Sequence, residues 1–393
     1  MGRCVLYDVI MIGGGLHGGF SAWHLLQREP GLKIALIEQD STYSHAASAR
    51  SSAGVRVLFS QEENLRMSQY GHEVYGNFGE LMALDGEPQL LSFWRQGYMF
   101  IANTPEQADD MAENHALQTG MGAEANLLDA AALQELLPSF RTDDVLLACH
   151  SPKDGWLDPY GALTSLRRKN QALGAEYIDG AVTGFRQSGG KVTGVVLQEG
   201  ETLKADWVVN ATGAWGGKIS KMMGFEIPVV PLPRTQFYFE CREEVEPFGL
   251  TIDGRGCSVR PEGKGFITGR THFERAGAFN WDVDEDHFYD ENWPLAAHRV
   301  PKFEAVKLQA SWACHYAYST WDGNMLMGAW PGQPQNFLMT TGYSGHGLQH
   351  APAAGRAISE LILDGGFQTL DLTRFAASRV AEDRKEPERG VKA

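Results

Sequence analysis

Three glycines and one carboxylate near the start of the chain have the spacing of a dinucleotide-binding site. Gly13, Gly15 and Gly18 form a G-x-G-x-x-G pattern, and Glu38 follows twenty residues after Gly18. In such a site the first glycine makes a tight turn, the second lets the backbone approach a pyrophosphate, and the third lets a helix pack closely on a strand. The carboxylate accepts a hydrogen bond from a ribose hydroxyl. The pattern predicts a bound dinucleotide and leaves NAD and FAD as alternatives.

These residues act together only if a strand and a helix position them. Residues 9–12 (VIMI) are a continuous apolar run, which predicts a strand buried on both faces. A helix is predicted from Gly15 to about Gln27, and the segment KIALIEQD predicts a second buried strand that ends in the acid. This β-α-β unit predicts a parallel sheet.

The composition is that of a folded protein with more than one domain. The chain has 393 residues, 43% of them hydrophobic, and a formal net charge of −15. This charge argues against nucleic acid or an anionic membrane surface as a partner. The five cysteines include no C-x-x-C pair, which argues against a disulfide framework or a zinc site and favours a reducing compartment. The first apolar run is too short for a membrane span or a signal peptide, so we expect a cytoplasmic protein.

Five longer motifs occur in the order in which they occur in one known family. They are IGGGLHGG, SSAGVRVLFSQEENLRMS, DGWLDPYGALTSL, ADWVVNATGAW and TTGYSGHGLQHAPAAGRAISELI. On these motifs the chain resembles the FAD-dependent D-amino-acid oxidase and sarcosine oxidase superfamily over nearly its full length. It is most similar there to the FAD-dependent oxidoreductase domain-containing proteins.

The resemblance implies an α/β fold, with FAD rather than NAD as the cofactor. A Rossmann-like FAD-binding domain is expected to contain an inserted, mainly antiparallel substrate domain. We assign residues 1–88, 150–227 and 312–385 to the FAD-binding domain, and residues 89–149 and 228–311 to the substrate domain. The charged segment 386–393 is predicted to be frayed.

The motif and the resemblance together place a set of residues at the FAD. They are Gly13, Gly15, Leu16, His17, Gly18, Glu38, Gln39, Ser52, Ala53, Gly54, Arg56, Val182, Ala211, Thr212, Gly213, Trp215, Gly342, Tyr343, Ser344, Gly345, His346, Gly347, Leu348 and Gln349. By resemblance, Arg56 lies beside the isoalloxazine and Val182 near the adenine. The turn over 342–347 is expected to aim the positive end of the next helix at the flavin. Pro352 is expected near the start of that helix, where its missing N–H costs little.

The family moves a hydride from the carbon next to an amine to flavin N5, which implies a small amine or amino acid as the substrate. The amine must be unprotonated, so a histidine is expected to take up its proton. We consider His346, His272 and His315 for this role, with a structural role as the alternative for each. The residues predicted to be catalytic are His346, His272, Tyr316 and Arg270.

Both carboxylate-binding arrangements familiar in the family are absent from this chain. Tyr316 stands where many amino-acid-oxidising relatives have an arginine. Phe59 and Gln349 replace the arginine and lysine of sarcosine-oxidising relatives. A carboxylate substrate would therefore need another cation, with a solvated arginine as the alternative reading. The candidates for this cation are Arg234, Arg260 and Arg270.

Two further departures concern the flavin. Oxidase relatives place a lysine over the flavin where this chain has Ile267, so we predict slow reoxidation by oxygen. The electrons would then pass to a quinone or to a protein such as electron-transfer flavoprotein. Cys314 lies in a C-x-Y pattern like that of relatives with covalent flavin, but its spacing to Asp322 is one residue longer. Noncovalent FAD is therefore favoured over a link to Cys314.

We expect an FAD-dependent dehydrogenase for a small secondary or N-methylated amino acid. Two alternatives stay open: the flavin-carrying subunit of a hetero-oligomeric opine or sarcosine dehydrogenase, and the noncatalytic respiratory assembly role to which mitochondrial relatives are linked. Both homo-oligomers and hetero-oligomers remain open as well. No metal site is predicted, because the acidic run 282–293 has His287 and Trp293 where a calcium loop needs glycine and glutamate.

Overall fold

The structure, a computed structural model, describes residues 6–391. Its strands are β1 (Leu6–Ile12), β2 (Ile34–Glu38), β3 (Gly54–Val55), β4 (Phe93–Trp94), β5 (Tyr98–Ala102), β6 (Asn126–Leu128), β7 (Leu147–Ser151), β8 (Gly155–Leu157), β9 (Glu176–Asp179), β10 (Val182–Ser188), β11 (Lys191–Leu197), β12 (Thr202–Asn210), β13 (Val229–Cys241), β14 (Leu250–Asp253), β15 (Cys257–Glu262), β16 (Gly265–Gly269), β17 (Val306–Ser319), β18 (Leu326–Ala329) and β19 (Phe337–Thr341). Its α-helices are α1 (Leu16–Arg28), α2 (Glu62–Gly76), α3 (Phe78–Leu81), α4 (Pro105–Gly120), α5 (Ala130–Leu136), α6 (Pro159–Ala172), α7 (Gly216–Met222), α8 (Trp293–Arg299) and α9 (Gly347–Leu363). None of the helices within this range combines the length and apolar character that crossing a bilayer requires.

The first large sheet contains the predicted β-α-β unit. β1 pairs in parallel with β2 on one side and with β12 on the other, and β2 continues to β9. β12 pairs with β19 in parallel near its C-terminal end and with β11 antiparallel near its N-terminal end. α1 begins and ends within one residue of the predicted bounds. The predicted parallel sheet is confirmed, and a β10–β11 hairpin forms one edge.

The second large sheet is mainly antiparallel and has its own apolar core. Its strand order is β17-β13-β16-β15-β14-β5-β7-β6, and β14 with β5 is a parallel pair. Phe237, Phe239, Phe288 and Phe303 are fully buried in this core. A small sheet of β3, β8 and β4 accompanies the two large ones. The expected combination of a dinucleotide-binding sheet and a mainly antiparallel sheet is confirmed.

The strands follow the predicted division of the chain, whose boundaries stay predictions. The strands of the first sheet all fall within residues 1–88, 150–227 and 312–385. β7 and β17 run across two of the predicted boundaries. β17 pairs antiparallel with β13 along most of its length, so one long two-stranded ribbon joins the two predicted domains.

α9 packs closely on its neighbours because two glycines remove side chains from the contacts. A Cβ on Gly355 would lie 2.5 Å from the carbonyl carbon of Phe20 in α1. A Cβ on Gly71 of α2 would lie 2.3 Å from the carbonyl oxygen of Gln349 in α9. These close approaches fix α9 against the first sheet, with its N-terminus in the wall of the cavity described below.

Pro352 lies inside α9, which corrects its predicted place near the helix start. A residue with an N–H at this position would donate to the carbonyl oxygen of Leu348, four residues earlier. Tyr75 replaces this missing donor, because its Oη donates to the Leu348 oxygen at 2.7 Å. The cost of the buried proline is thus offset by a side chain from α2.

The charged C-terminal segment is docked on the protein. Glu388 accepts hydrogen bonds from the backbone nitrogen of Ser60 (2.7 Å), from Ser60 Oγ (2.6 Å) and from Asn64 Nδ2 (2.6 Å). The prediction of a frayed tail over 386–393 is therefore wrong for its described part, because α2 offers donors to the charged chain. Residues 392–393 lie outside the described residues.

The acidic run 282–293 begins as an exposed loop and continues through a helical turn over Phe288–Asn292 into α8. Asp282, Asp284 and Asp286 are exposed, and the backbone nitrogen of Asp286 donates to Asp284 Oδ1 at 3.1 Å. Within residues 6–391, no group of three or more His, Cys, Asp or Glu side chains is arranged to hold a metal ion.

Candidate active site

A cavity of about 670 Å³ is lined by residues of both large sheets. The loop after β1 and the turn before α9 meet in its wall, although they lie at opposite ends of the chain. Strands β5, β13, β14 and β17 of the second sheet form its other end. The volume falls within the range of about 300–1,000 Å³ that is usual for cofactor and ligand pockets.

The three glycines of the predicted pattern, in the loop after β1 and at the start of α1, are required for different steric reasons. Gly13 has a φ of +101°, and a Cβ there would lie 2.5 Å from the carbonyl oxygen of Ala211. A Cβ on Gly18 would lie 2.0 Å from the carbonyl oxygen of Gly13. A Cβ on Gly15 meets no protein atom within 4 Å, and Gly15 lines the cavity. Gly13 thus makes the turn, Gly18 permits the packing, and Gly15 leaves space for a ligand, as the spacing predicted.

Glu38 at the end of β2 is held beside this loop. Its Oε2 accepts from the backbone nitrogen of Gly14 at 2.9 Å, and its Oε1 accepts from the backbone nitrogen of Asp40 at 3.1 Å. Burial raises the pKa of Glu38, and these backbone hydrogen bonds oppose the rise. Each oxygen retains a lone pair, so the carboxylate can accept a further bond from a ribose hydroxyl.

The turn before α9 also approaches the cavity through its backbone. Ser344 and Gly345 have φ values of +50° and +103°, in the left-handed region. A Cβ on Gly345 would lie 3.0 Å from the ring of Tyr316, and one on Gly347 would lie 3.1 Å from His17 Nε2. The small residues of this turn therefore let two side chains of the cavity wall pack against backbone.

Two histidines of the cavity wall have different surroundings. The ring of His17 lies on Tyr343, with centroids 4.1 Å apart, and burial lowers the pKa of His17 to about 4. His17 is therefore neutral at physiological pH. His346 lines the cavity at the N-cap of α9, with its ring edge-on to Phe59 at 5.1 Å.

Most of the residues predicted at the FAD line this cavity. They are Gly13, Gly15, Leu16, His17, Glu38, Gln39, Ser52, Ala53, Arg56, Val182, Ala211, Thr212, Gly213, Trp215, Tyr343, Ser344, Gly345, His346, Gly347 and Leu348. The others support the wall from behind; for example, Gln349 Oε1 accepts from the backbone nitrogen of Arg56 at 2.8 Å. Those others are Gly18, Gly54, Gly342 and Gln349. The space left by Gly15 and the carboxylate of Glu38 fit a dinucleotide.

Residues 8–361 of the chain match the family described as FAD dependent oxidoreductase (DAO). The chain belongs to this family. Its cofactor is accordingly FAD, which decides between the two dinucleotides that the glycine pattern left open. The resemblance expected from the five motifs is confirmed.

Individual relatives of this FAD-dependent oxidoreductase cover nearly the whole chain. It is 36% identical to FAD-dependent oxidoreductase domain-containing protein 1 of Xenopus laevis, over 95% of this chain and 82% of the relative. It is 26% identical to the mitochondrial sarcosine dehydrogenase of Mus musculus, over 94% of this chain and 41% of that protein. The solved L-proline dehydrogenase from P. horikoshii superposes with a TM-score of 0.86 at 24% identity, over 97% of this chain and 99% of that one. At this identity the structural likeness shows the fold alone.

One buried cation of the FAD-dependent oxidoreductase faces the cavity without an acidic partner. The guanidinium of Arg234 on β13 donates from Nη2 to Ser258 Oγ at 2.9 Å and from Nη1 to Tyr316 Oη. Its Nε has no hydrogen-bond partner, and no carboxylate among residues 6–391 forms an ion pair with it. Burial lowers the pKa of Arg234, because removing the group from water disfavours its charge. A guanidinium in this state is suited to binding an anion.

Arg56 is a second cation in the cavity wall. Its guanidinium lies over the rings of Phe59, Tyr98 and Phe100, at 4.4, 5.4 and 5.4 Å from their centroids. Its Nε has no hydrogen-bond partner either. Burial raises the pKa of Tyr98, and the charges of Arg56 and Arg234 oppose the rise. Tyr98 therefore lies close to both cations.

Three other predicted groups are not among the described residues that line the cavity, although Arg260 Nε donates to the carbonyl oxygen of Ser52, a residue that does line it. Arg270 Nη1 lies 3.6 Å from Glu291 Oε2, and His272 Nε2 lies 3.2 Å from the same oxygen. Among the described residues that line the cavity, neither Arg270 nor His272 occurs, so their predicted catalytic positions are corrected. Arg260 is paired with Glu262. These arginines are already compensated by carboxylates, unlike Arg234.

The last candidates lie behind the cavity wall, in the second sheet. His315 Nε2 accepts from the backbone nitrogen of Asn280 at 2.9 Å, and its ring packs on Trp281 with centroids 4.2 Å apart. Cys314 is buried, and burial raises its pKa to about 11, which keeps the thiol protonated and disfavours a covalent link. Ile267 is buried in β16.

Sequence reasoning named Arg234 and Tyr316 of the second sheet but missed the other residues of this sheet, and those of the C-terminus, that complete the cavity. Tyr98 and Phe100 alternate along β5, so both side chains point to the same face, and this spacing of aromatic residues could have indicated a pocket wall. Residues 388–391 also line the cavity. No local pattern reveals their position, because it depends on donors from α2.

Proposed function

We propose that this protein is an FAD-dependent dehydrogenase that oxidises a small secondary or N-methylated amino acid at the carbon next to the amine. When bound, FAD supplies the acceptor for the hydride of that C–H bond. One observation carries the proposal: the buried guanidinium of Arg234 faces the cavity and has no acidic partner among the described residues. An amino acid brings the carboxylate that this cation lacks.

Arg234 binds the substrate carboxylate and fixes its orientation. The bonds to Ser258 and Tyr316 hold the guanidinium in place before the substrate arrives, so less side-chain freedom is lost on binding. The Tyr316 hydroxyl accepts from Arg234 and keeps its own proton, which it can donate to the carboxylate. This role gives a physical reason for a tyrosine at the position where many relatives carry an arginine.

His346 takes up the proton that the amine must release before the C–H bond is oxidised. Its place in the cavity wall, at the start of α9, supports this role. His17 is less suited, because burial lowers its pKa to about 4 and a proton taken up there is released at neutral pH. The positive end of the α9 dipole would favour negative charge on a reduced flavin bound at the same wall.

Two observations support a dehydrogenase rather than an oxidase. Ile267 stands where oxidase relatives have a lysine, and a buried apolar side chain does not stabilise superoxide electrostatically. One relative, the mitochondrial sarcosine dehydrogenase of Mus musculus, is itself named a dehydrogenase. We therefore expect a quinone or an electron-transfer flavoprotein as the electron acceptor.

Anaerobic screening of amino acids for loss of flavin absorbance tests the proposal. Secondary or N-methylated amino acids should bleach the flavin, and the same amines without a carboxylate should bleach it much more slowly. Bleaching by no amine, in material that carries FAD and no copurifying subunit, would contradict the proposal and favour an assembly role. Rapid reoxidation in aerated buffer would contradict the dehydrogenase assignment alone.

A further inference from the structure

One part of the cavity end that the second sheet forms is apolar, beside the polar part that contains Arg234, Ser258 and Tyr316. The lining side chains of the apolar part also belong to, or pack against, one buried cluster with Tyr98. We call it the apolar compartment, formed by Leu58, Phe100, Met111, Leu250, Ile252 and Val391. We propose that it binds an apolar side chain or N-substituent of the substrate, and that residues 388–391 form the wall that sets the size of this group. The inference rests on the proposed function, which it extends to the substrate class.

Each of the two amides next to the apolar compartment donates one hydrogen bond to a backbone carbonyl. Asn114 Nδ2 donates to the carbonyl oxygen of Arg389 at 3.2 Å, and Gln118 Nε2 donates to the carbonyl oxygen of Phe59 at 3.1 Å. The Arg389 guanidinium pairs with Glu113 at 3.0 Å. A charged substituent would lose its hydration among these apolar side chains, whereas an apolar one loses none. A negatively charged substituent could regain an ion pair with Arg56, whose guanidinium lies over Phe100.

Residues 388–391 are held on both sides of the apolar compartment. Glu388 is fixed beside α2 by its three hydrogen bonds, and the carbonyl oxygen of Arg389 accepts from Asn114 of α4. Beyond these attachments the chain continues along the cavity, and Val391 packs against the apolar cluster. The segment is thus a fixed wall whose removal or displacement would enlarge the compartment.

Tyr98 connects the apolar compartment to the carboxylate site. It belongs to the apolar cluster, its ring lies 5.4 Å from the Arg56 guanidinium, and it lines the same cavity as Arg234. A carboxylate bound to Arg234 therefore leaves the remainder of an amino acid beside apolar side chains. Burying one methylene group there favours binding by about fourfold, from roughly 0.8 kcal/mol per group.

A series of N-methylated glycine, alanine, valine, leucine and phenylalanine tests the inference on the FAD-loaded protein. The half-saturating concentration for anaerobic bleaching should fall about fourfold per buried methylene until the compartment is full. A concentration that stays constant, or rises with side-chain size, overturns the inference while the proposed function stands. If no amino acid bleaches the flavin, the proposed function fails. In that case the apolar compartment is tested by titrating straight-chain carboxylates from acetate to hexanoate and measuring binding as a change in flavin absorbance. An affinity that does not depend on chain length would overturn the proposed compartment.

Two variants test the wall. Glu388→Gln weakens the anchor of the wall, so the compartment should lose contact with a large side chain and the preference for N-methyl-leucine over sarcosine should fall by about fourfold or more. Glu382→Gln is the matched control, because Glu382 is exposed on the same C-terminal segment and contacts Arg384. Met111→Ala enlarges the compartment and should shift the preference towards longer side chains. Melting temperature and FAD content establish that each variant is folded, and an unchanged preference in both overturns the role of the wall.

Discussion

Replacing Arg234 with methionine should abolish most of the activity while leaving stability nearly unchanged. The guanidinium is 7% exposed and has no acidic partner among the described residues, so folding removes a charge from water without an ion pair. Methionine relieves a desolvation cost of several kcal/mol. It also loses two hydrogen bonds from a charged donor, worth about 1.5–3 kcal/mol each. These contributions nearly cancel, and the free energy of unfolding should stay within about 1 kcal/mol of the wild type.

The effect on catalysis has no such compensation. Removing one partner of a buried, hydrogen-bonded charge pair costs about 2–5 kcal/mol, which corresponds to a fall in kcat/KM of roughly 30- to 4,000-fold. Anaerobic stopped-flow bleaching should show this fall for an amino acid and a much smaller one for the same amine without its carboxylate. Denaturant titration of the FAD-loaded protein measures the free energy of unfolding in parallel.

Arg299→Met is the matched control, because the same substitution has the opposite result for stability. Arg299 is 3% exposed, its Nε lies 2.6 Å from Asp253 Oδ2, and its Nη1 lies 2.9 Å from Asp144 Oδ1. Methionine leaves the buried Asp253 without its cation, although Asp144 keeps its ion pair with Arg255, and the expected cost is about 3–5 kcal/mol. A comparable loss of stability in Arg234→Met, or an intact preference for carboxylated substrates, would refute the reasoning.

Further substitutions test the cofactor loop, α9 and the response to pH. Gly15→Ala should weaken FAD binding in titrations without destabilising the FAD-free protein. Gly18→Ala should lower the melting temperature, because its Cβ would meet a backbone oxygen at 2.0 Å. Equal effects of the two substitutions would contradict the different roles of these glycines. Tyr75→Phe leaves the Leu348 carbonyl without a donor and should cost about 1–3 kcal/mol in urea titrations, and no loss would show that the carbonyl finds another partner. Burial lowers the pKa of His350 to about 3, so the unfolded chain takes up a proton that the folded protein refuses, and stability present above about pH 6.5 is lost as the pH falls towards 3. His350→Leu should therefore reduce the loss of unfolding free energy between pH 7.5 and 5 by about 2 kcal/mol, and an unchanged pH dependence would contradict the burial effect.

The dinucleotide-binding end of the fold could be predicted from the sequence, because its determinants are local. The turn at Gly13, the helix that follows and the acid at Glu38 lie within one β-α-β unit, and their spacing along the chain sets their spacing in space. For the end of the cavity formed by the second sheet, the sequence predicted only the class of structure. A mainly antiparallel sheet with aromatic residues does not specify which side chains reach a cavity. Pro352 illustrates this limit of sequence-based prediction. The hydrogen bond that a proline cannot donate to the Leu348 carbonyl comes instead from Tyr75, far away along the chain.

By itself, the sequence determined the dinucleotide site, its architecture and, through resemblance, the expectation of FAD and an amine substrate. It left Arg234, Arg260 and Arg270 equivalent as carboxylate ligands, and it assigned the C-terminal segment to solvent. Only the tertiary structure separated the arginines, by placing carboxylates beside two of them and, within residues 6–391, none in an ion pair with Arg234. The physical reason is that backbone geometry follows from near neighbours in sequence, whereas the compensation of a buried charge depends on which distant residues the folded chain brings within a few ångströms.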